Sequence, residues 1–328
     1  MERETAIKVM SGLSAFRVRW LSPAVVDLLI SVSALFILVV VLTIASPYFL
    51  TLSNLANVTR QLAVLAIVSV GMTFVITSGG IDLSVGSVLA LAGVAMGALV
   101  VDQGTGLAVG MLGALVAGTL AGMVNGILVG YLRMPPFIAT LGMYSAARGL
   151  ALVYTNGLSI SIRDPEVRFL AEGGLLGVPV PLLVATTFAV LGIYVLARTT
   201  LGRYTYAIGG NEEAARLSGI NVRLFKTAIY SLSGFAAGIG SIIWAARIGS
   251  AQPIAGTFLE LDAIAAVVIG GTSLSGGKGN LFGTVLGVLI IGFIRNGLNL
   301  LNINAFWQMV AIGTVIVLAV FIDRLRVR

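Results

Sequence analysis

QLAVLAIVSVGMTFVITSGGIDLSVGSVLALAGVAMGALVV, residues 61–101, contains one charged side chain, that of Asp82. Two apolar runs, 61–78 and 83–101, lie on either side of a short interruption that contains two glycines and this aspartate. A helix needs about 20 apolar residues to cross a bilayer. Each run therefore predicts a membrane-spanning helix, and the interruption predicts a break between the two.

The same kind of apolar run recurs along the whole chain. The candidate spans are 24–46, 61–78, 83–101, 107–131, 136–155, 180–197, 224–247, 258–271, 281–301 and 305–322. The eighth of these, 258–271, is short and could be re-entrant, so the expected number of spans is eight to ten. We predict an all-α, polytopic transmembrane helical bundle.

Composition supports a membrane protein and argues against an enzyme. Of the 328 residues, 58% are hydrophobic and only 10% are charged, whereas a soluble domain carries about 25% charged residues. Cysteine and histidine are both absent, which excludes disulfides, thiol nucleophiles and Cys/His metal sites. We therefore expect no catalytic residues, no metal site and no cofactor on this chain.

Basic residues predict the orientation in the membrane, because cytoplasmic loops collect Lys and Arg. Alternate threading with the first residue inside predicts a cytoplasmic N-terminal segment (1–23), one transmembrane domain (24–322) and a cytoplasmic tail (323–328). The loop 156–179 is then outside and the loop 198–223 inside. The basic residues on the inner side are Arg3, Lys8, Arg17, Arg19, Arg133, Arg198, Arg203, Arg216, Arg223, Lys226, Lys278, Arg324, Arg326 and Arg328.

Small residues recur at every fourth position of the span 107–131, and this spacing places them on one helix face. They are Gly106, Gly110, Ala114, Gly118, Gly122, Gly126 and Gly130. Such a face allows the backbones of two helices to approach closely. We predict that this ridge packs against protein, either as a sliding contact or as tight static packing.

Two interrupted segments share the pattern Gly-Gly-x-x-Leu-Ser-x-Gly: TSGGIDLSVGS (Thr77–Ser87) and IGGTSLSGGKG (Ile269–Gly279). The match indicates either an internal repeat or a coincidence in a glycine-rich chain; transporters often have broken helices at corresponding positions of repeats. Asp82 could cap the following helix or contact solute. Glu260 and Asp262, at the outer end of the eighth span, could line an entrance or face water. The candidates for the pathway or its packing are Asp82, Ser84, Ser87, Glu260, Asp262, Ser273 and Ser275.

The inner loop contains AIGGNEEAARLSGINV, residues 207–222. Asn211 is a plausible N-cap, the two following glutamates suit the first turn of a helix, and Gly219 would end it. A helix of about two turns is too short to be stable alone, so it must pack on its own chain or on another protein. The chain also has no recognisable nucleotide site, because Gly277 intervenes before Lys278 and Gly279, not the Ser or Thr of a phosphate-binding loop, follows it.

This loop resembles the coupling segment of ABC importer permeases. Four further stretches are similar to the ribose-type monosaccharide permeases of bacteria, and the similarity extends from about residue 47 to 322. These stretches are GMTFVITSGGIDLSVGS (71–87), PPFIATLGM (135–143), ELDAIAAVVIGGTSLSGGKG (260–279) and NGLNLLNI (296–303).

The resemblance implies a transport subunit that works as a dimer, with a second copy of the chain as the expected partner. It also implies a periplasmic or lipid-anchored sugar-binding protein and an ATPase with two nucleotide-binding cassettes, which would hold the ATP and magnesium. The sugar itself stays open. The residues that would contact the ATPase are Gly210, Asn211, Glu212, Glu213, Ala214, Ala215, Arg216, Leu217 and Gly219.

Two other classes of function remain as alternatives. A secondary transporter or channel driven by an ion gradient would need titrating groups within the spans, where Asp82 is nearly alone. An intramembrane enzyme would need catalytic groups that this composition scarcely provides.

Overall fold

The computed structural model describes residues 23–175 and 177–327, so the predicted N-terminal segment lies almost wholly outside the described residues. The helices are α1 (Pro23–Ala45), α2 (Leu52–Thr77), α3 (Val85–Gly97), α4 (Leu107–Gly130), α5 (Pro136–Thr155), α6 (Pro165–Glu172), α7 (Val180–Arg198), α8 (Thr200–Gly210), α9 (Glu212–Leu217), α10 (Val222–Ile248), α11 (Leu259–Ile269), α12 (Leu281–Leu300) and α13 (Ala305–Val327). A π-helical turn, Ala98–Asp102, continues α3. The strands are β1 (Ile160–Ser161) paired antiparallel with β4 (Ser250–Ala251), and β2 (Gly174–Leu175) paired antiparallel with β3 (Val178–Pro179).

The prediction of an all-α polytopic membrane protein is confirmed. Within the described part of the chain, eight helices are long and apolar enough to cross a membrane, and the stretch Ala305–Leu318 of α13 is a shorter apolar helix. Because α13 continues to Val327, it extends past residue 322, where the last span was predicted to end.

The predicted start of the second span was wrong. α2 begins at Leu52 and not at residue 61, because its polar first turns are satisfied by protein groups. Thr51 caps the helix, and the amides of Asn54 and Asn296 on α12 exchange hydrogen bonds of 3.0 and 2.9 Å. Hydropathy alone misses such a turn, since it assigns polar residues to water.

The short eighth span is one half of a broken crossing. α10 runs away from α9, and after the loop 249–258 the 11-residue helix α11 runs back. The segment 270–280 completes the path, because the N–H of Gly277 donates to the carbonyl of Thr77, the last residue of α2 (2.9 Å). α12 then returns across the bundle. We call the end of the bundle that holds α9, Thr77 and Gly277 the α9 end.

The glycine ridge of α4 packs against protein from Gly110 onward. Gly110 faces Val100 and Met96, and the ridge from Gly118 onward packs backbone to backbone against α10, a partner that was not predicted. A Cβ added to Gly122 would lie 3.0 Å from the backbone of Gly234 and closer still to the carbonyl oxygen of Tyr230. The ridge residues Gly118, Gly126 and Gly130 make equally close contacts with α10, whereas Gly106 has no neighbour within 4 Å of such a Cβ. We call this contact between α4 and α10 the seam.

The loop at the opposite end is partly folded. Asp164 caps α6 by accepting the N–H of Glu166 at 2.7 Å, and Val167 and Ala171 are buried. β1 pairs with β4, which ties this loop to the turn after α10.

Candidate functional site

The short helix predicted in the inner loop is present as α9. The side-chain oxygen of Asn211 accepts the N–H of Ala214 at 2.9 Å, and Gly219 adopts φ +85° just beyond the helix. The predicted cap and stop are therefore confirmed. The sequence missed α8, which occupies the first half of the same loop.

Two kinds of contact hold α9 on the bundle. Its buried Ala215 packs with Ile208 of α8 and Val222 of α10. The ammonium of Lys226, on the second turn of α10, forms an ion pair of 2.5 Å with the carboxylate of Glu212. Because the Lys226 side chain is only 11% exposed, this pair links α9 to a membrane-crossing helix. No sequence pattern predicts this pairing, because Glu212 and Lys226 lie 14 residues apart on different helices.

The remaining face of α9 is directed away from the bundle. Glu213 and Arg216 form an exposed ion pair with an N–O distance of 2.5 Å, and Leu217 is 77% exposed. The hydrogen bond from Arg216 lowers the pKa of the Glu213 carboxyl below its usual value. α9 thus presents an anion, a cation and an apolar side chain on one small surface.

Asp82 is buried in the first interruption, where it accepts hydrogen bonds from three groups. Its carboxylate accepts the N–H and the hydroxyl of Ser84, at 2.9 and 2.6 Å, and the hydroxyl of Ser233 on α10, at 2.9 Å. Ser84 in turn accepts a hydrogen bond from the amide of Asn125 on the α4 ridge (2.9 Å). The aspartate therefore fixes the turn before α3 and ties that turn to the seam.

Sequence reasoning missed Ser233 and Asn125. Asn125 had a usable signal, because it lies next to Gly126 on a face of small residues, where a buried amide needs a partner. Ser233 had none, since serine is common in such helices. Ser87 is also fully buried, and its hydroxyl has no hydrogen-bond partner within the described residues.

The other candidates for the pathway lie apart from this cluster. Glu260 is buried, and its carboxylate packs directly against Gly86 of α3. A Cβ added to that glycine would lie only 2.5 Å from a carboxylate oxygen of Glu260. On the same helix α11, both carboxylate oxygens of Asp262 accept hydrogen bonds from one guanidinium nitrogen, Nη2 of Arg295 on α12, with both distances 2.7 Å. Asp262 and Arg295 also line a cavity of about 200 Å³ near the opposite end of the bundle, together with Gln61, Trp244 and Arg247.

The serines of the second interruption differ in exposure. Ser273 is buried, and its hydroxyl accepts the N–H of Ser275 at 3.3 Å. Ser275 itself is exposed, as is Lys278. The structure thus brings Asp82 together with Ser84, and Ser273 together with Ser275, and it places Glu260 and Asp262 on the same helix, α11.

A bundle with eight helices long and apolar enough to cross a membrane within its described residues is a multi-pass membrane protein. The described residues contain no group of three or more His, Cys, Asp or Glu side chains that could hold a metal ion. Comparison with known families agrees with the class. The chain belongs to the family described as branched-chain amino acid transport system / permease component, which matches residues 54–320. It is accordingly a transport component and not an enzyme.

Curated relatives cover almost the whole chain. It is 46% identical to the ribose import permease protein of Escherichia coli K12 over 320 residues, which are 96% of this chain and 98% of the relative. It is 47% identical over 292 residues to the ribose import permease protein of Bacillus subtilis (88% and 90%). It is 39% identical over 295 residues to the D-allose transport system permease protein of Escherichia coli K12 (88% and 90%). No solved structure matches the chain.

Proposed function

We propose that this chain is the membrane-spanning subunit of an ATP-driven importer for a ribose-like monosaccharide, and that α9 is the surface on which its ATPase docks. The observation that carries the proposal is that α9 is held on the bundle by one face and exposes charged side chains on the other. It is capped at Asn211 and clamped by Lys226, yet its Glu213 and Arg216 face outward. A helix held firmly on one side and open on the other is suited to receive a partner's movement.

The arrangement of charge supports an orientation with the α9 end in the cytoplasm. Arg133, Arg198, Arg203 and Arg223 lie on loops or helix ends at this end of the bundle, and cytoplasmic loops collect Lys and Arg. α1 begins and α13 ends at the same side under alternate threading. The ATPase, with its ATP and magnesium on two cassettes, would then sit against α9. A sugar-binding protein would deliver solute to the opposite end, and a second copy of the chain would complete the pathway.

The substrate class rests on the relatives, which are named for ribose and for D-allose. Both are small, uncharged polyhydroxyl compounds, and the cavity beside Asp262 and Arg295 has planar charged groups that suit hydroxyls. A ligand screen on the cognate binding protein, starting with ribose and allose, would identify the sugar.

An ion-coupled transporter is the weaker alternative. Its most promising titrating group would be Asp82, but that carboxylate is only 2% exposed and is occupied by hydrogen bonds from Ser84 and Ser233. A carboxylate that fixes a turn in this way is poorly placed to exchange ions during each cycle.

Reversing charge on α9 tests the docking surface. We expect that Glu213→Arg and Arg216→Glu each reduce co-purification of the ATPase by about tenfold, because losing a contact between charged groups costs on the order of 1–2 kcal/mol. The double variant Glu213→Arg/Arg216→Glu is the matched control. It restores the ion pair within α9 but exchanges the positions of the negative and positive charges that the ATPase would contact. If the ATPase binds every variant as it binds the wild type, α9 is not the docking surface.

A further inference from the structure

Three separate segments meet at the α9 end, and they meet through backbone atoms. They are the last turn of α8, the end of α2 and the segment before α12. A Cβ added to Gly209 of α8 would lie 2.6 Å from the nitrogen of Gly277 and closer still to the carbonyl oxygen of Thr77. The hydroxyl of Tyr206, also on α8, donates to the carbonyl of Gly279 at 2.8 Å. We call Thr77, Tyr206, Gly209, Gly277 and Gly279 the glycine junction.

Where Gly209 meets Gly277, the junction has no side chain that could absorb a displacement. Gly277 adopts φ +73°, a conformation that favours glycine, and its N–H donates to Thr77 at 2.9 Å. Side chains can change rotamer when a neighbour moves, but two backbones in direct contact must shift together or separate. A movement of α8 therefore reaches the end of α2 and the second interruption directly.

α8 is in turn connected to the proposed docking helix. Only Asn211 separates the end of α8 from the start of α9, and Ile208 of α8 packs against Ala215 of α9 in a small apolar cluster. A force on α9 thus acts on the same short helix that bears on Thr77 and Gly277.

We propose that the glycine junction couples α9 to the end of α2, where the first interruption begins, and to the second interruption, 270–280, and that Gly209 is the positioning residue on which this coupling depends. When the partner moves α9, the last turn of α8 displaces the end of α2 and the segment before α12 in one step. The inference rests on the proposed function, because it assigns to the junction the transmission of an ATPase movement. It goes further by naming the contact through which the end of α2 and the second interruption both respond.

The first test compares Gly209→Ala with Gly142→Ala. Both glycines are helical, but a Cβ at Gly142 meets nothing within 4 Å. The permease is reconstituted in vesicles with its ATPase and binding protein, and radiolabelled ribose taken up per ATP hydrolysed is measured. We expect Gly209→Ala to lower this ratio by about two- to thirtyfold, the range for changes within a coupling network. The ATPase should still co-purify, and Gly142→Ala should behave as the wild type.

A milder pair covers the case in which Gly209→Ala fails to fold. Tyr206→Phe removes only the hydroxyl that bonds to Gly279. Tyr204→Phe is the control: it removes a hydroxyl from the same helix, and the Tyr204 ring packs on Phe225, outside the junction. We expect Tyr206→Phe to lower the amount of ribose taken up per ATP hydrolysed and Tyr204→Phe to leave it unchanged. Equal ratios in wild type, Gly209→Ala and Tyr206→Phe would overturn the role of the junction while leaving the proposed function intact.

A reporter that needs no sugar tests the role of the glycine junction separately from the proposed function. The chain has no cysteine, so Ser275→Cys places a single thiol on the exposed part of the second interruption. In the permease–ATPase complex, we expect ATP to change the rate at which an impermeant maleimide labels this thiol, and Gly209→Ala to abolish the change. A rate that responds to ATP equally in both backgrounds would overturn the inference. No ribose uptake by the complete wild-type system would instead count against the proposed function.

Discussion

The seam between α4 and α10 and the glycine junction use the same residue type for opposite purposes. In the seam, the close contacts between the antiparallel helices α4 and α10 run from Gly118 to Gly130, so any displacement must overcome several of them at once. In the junction, only the ends of three segments touch, and each end adjoins a turn. Close glycine contact therefore indicates rigidity where it is continuous and transmission where it is local.

The two interruptions differ in the same way. The first is anchored to the seam by Asp82, which accepts hydrogen bonds from Ser84 and from Ser233 of α10. The second, 270–280, is held mainly by backbone contacts, and its Ser275 and Lys278 are exposed. We infer that the first interruption moves with the rigid seam and that the second can move relative to it.

The largest effect is expected from breaking the seam. Gly122→Leu forces four carbon atoms into the backbone of α10 near Gly234, which should cost about 4 kcal/mol or more and leave little folded protein. Gly142→Leu is the control, because it adds the same side chain at an open position. Yield of monodisperse protein in detergent measures the difference. Equal yields of the two variants would show that α4 and α10 are not in close contact.

A smaller effect is expected from releasing the first interruption. Asp82→Ala leaves the buried groups of Ser84 and Ser233 without their acceptor, at a cost of roughly 3 kcal/mol. Asp102→Ala removes an exposed carboxylate bonded only to Tyr154 and should change stability by less than about 0.5 kcal/mol. Thermal unfolding in detergent compares the two. A melting temperature that is unchanged in Asp82→Ala would contradict the anchoring role.

Much of the fold could be predicted because hydrophobic pattern and local caps are properties of short stretches. The apolar runs gave most of the crossings, and Asn211 and Gly219 gave the limits of α9. What the sequence missed depends on long-range partners. The polar start of α2 is explained only by Asn296 on α12, and the clamp on α9 only by Lys226 of α10.

The candidate site was harder to predict for the same reason. Asp82 was identifiable as a costly charge within an apolar region, but its partner Ser233 lies 151 residues away. The junction joins residues from three distant segments, and no pattern in the chain relates Gly209 to Thr77 or Gly277. Pattern can indicate that glycines allow close approach, but it cannot say which backbones approach.

We propose that a separate motor moves this subunit through α9. The most direct test measures concentrative uptake of radiolabelled ribose into vesicles under two conditions: the purified chain with a binding protein, and the same system with the cognate ATPase and ATP. The account predicts accumulation only when the ATPase and ATP are both present. Accumulation by the chain in vesicles that lack any ATPase would contradict it.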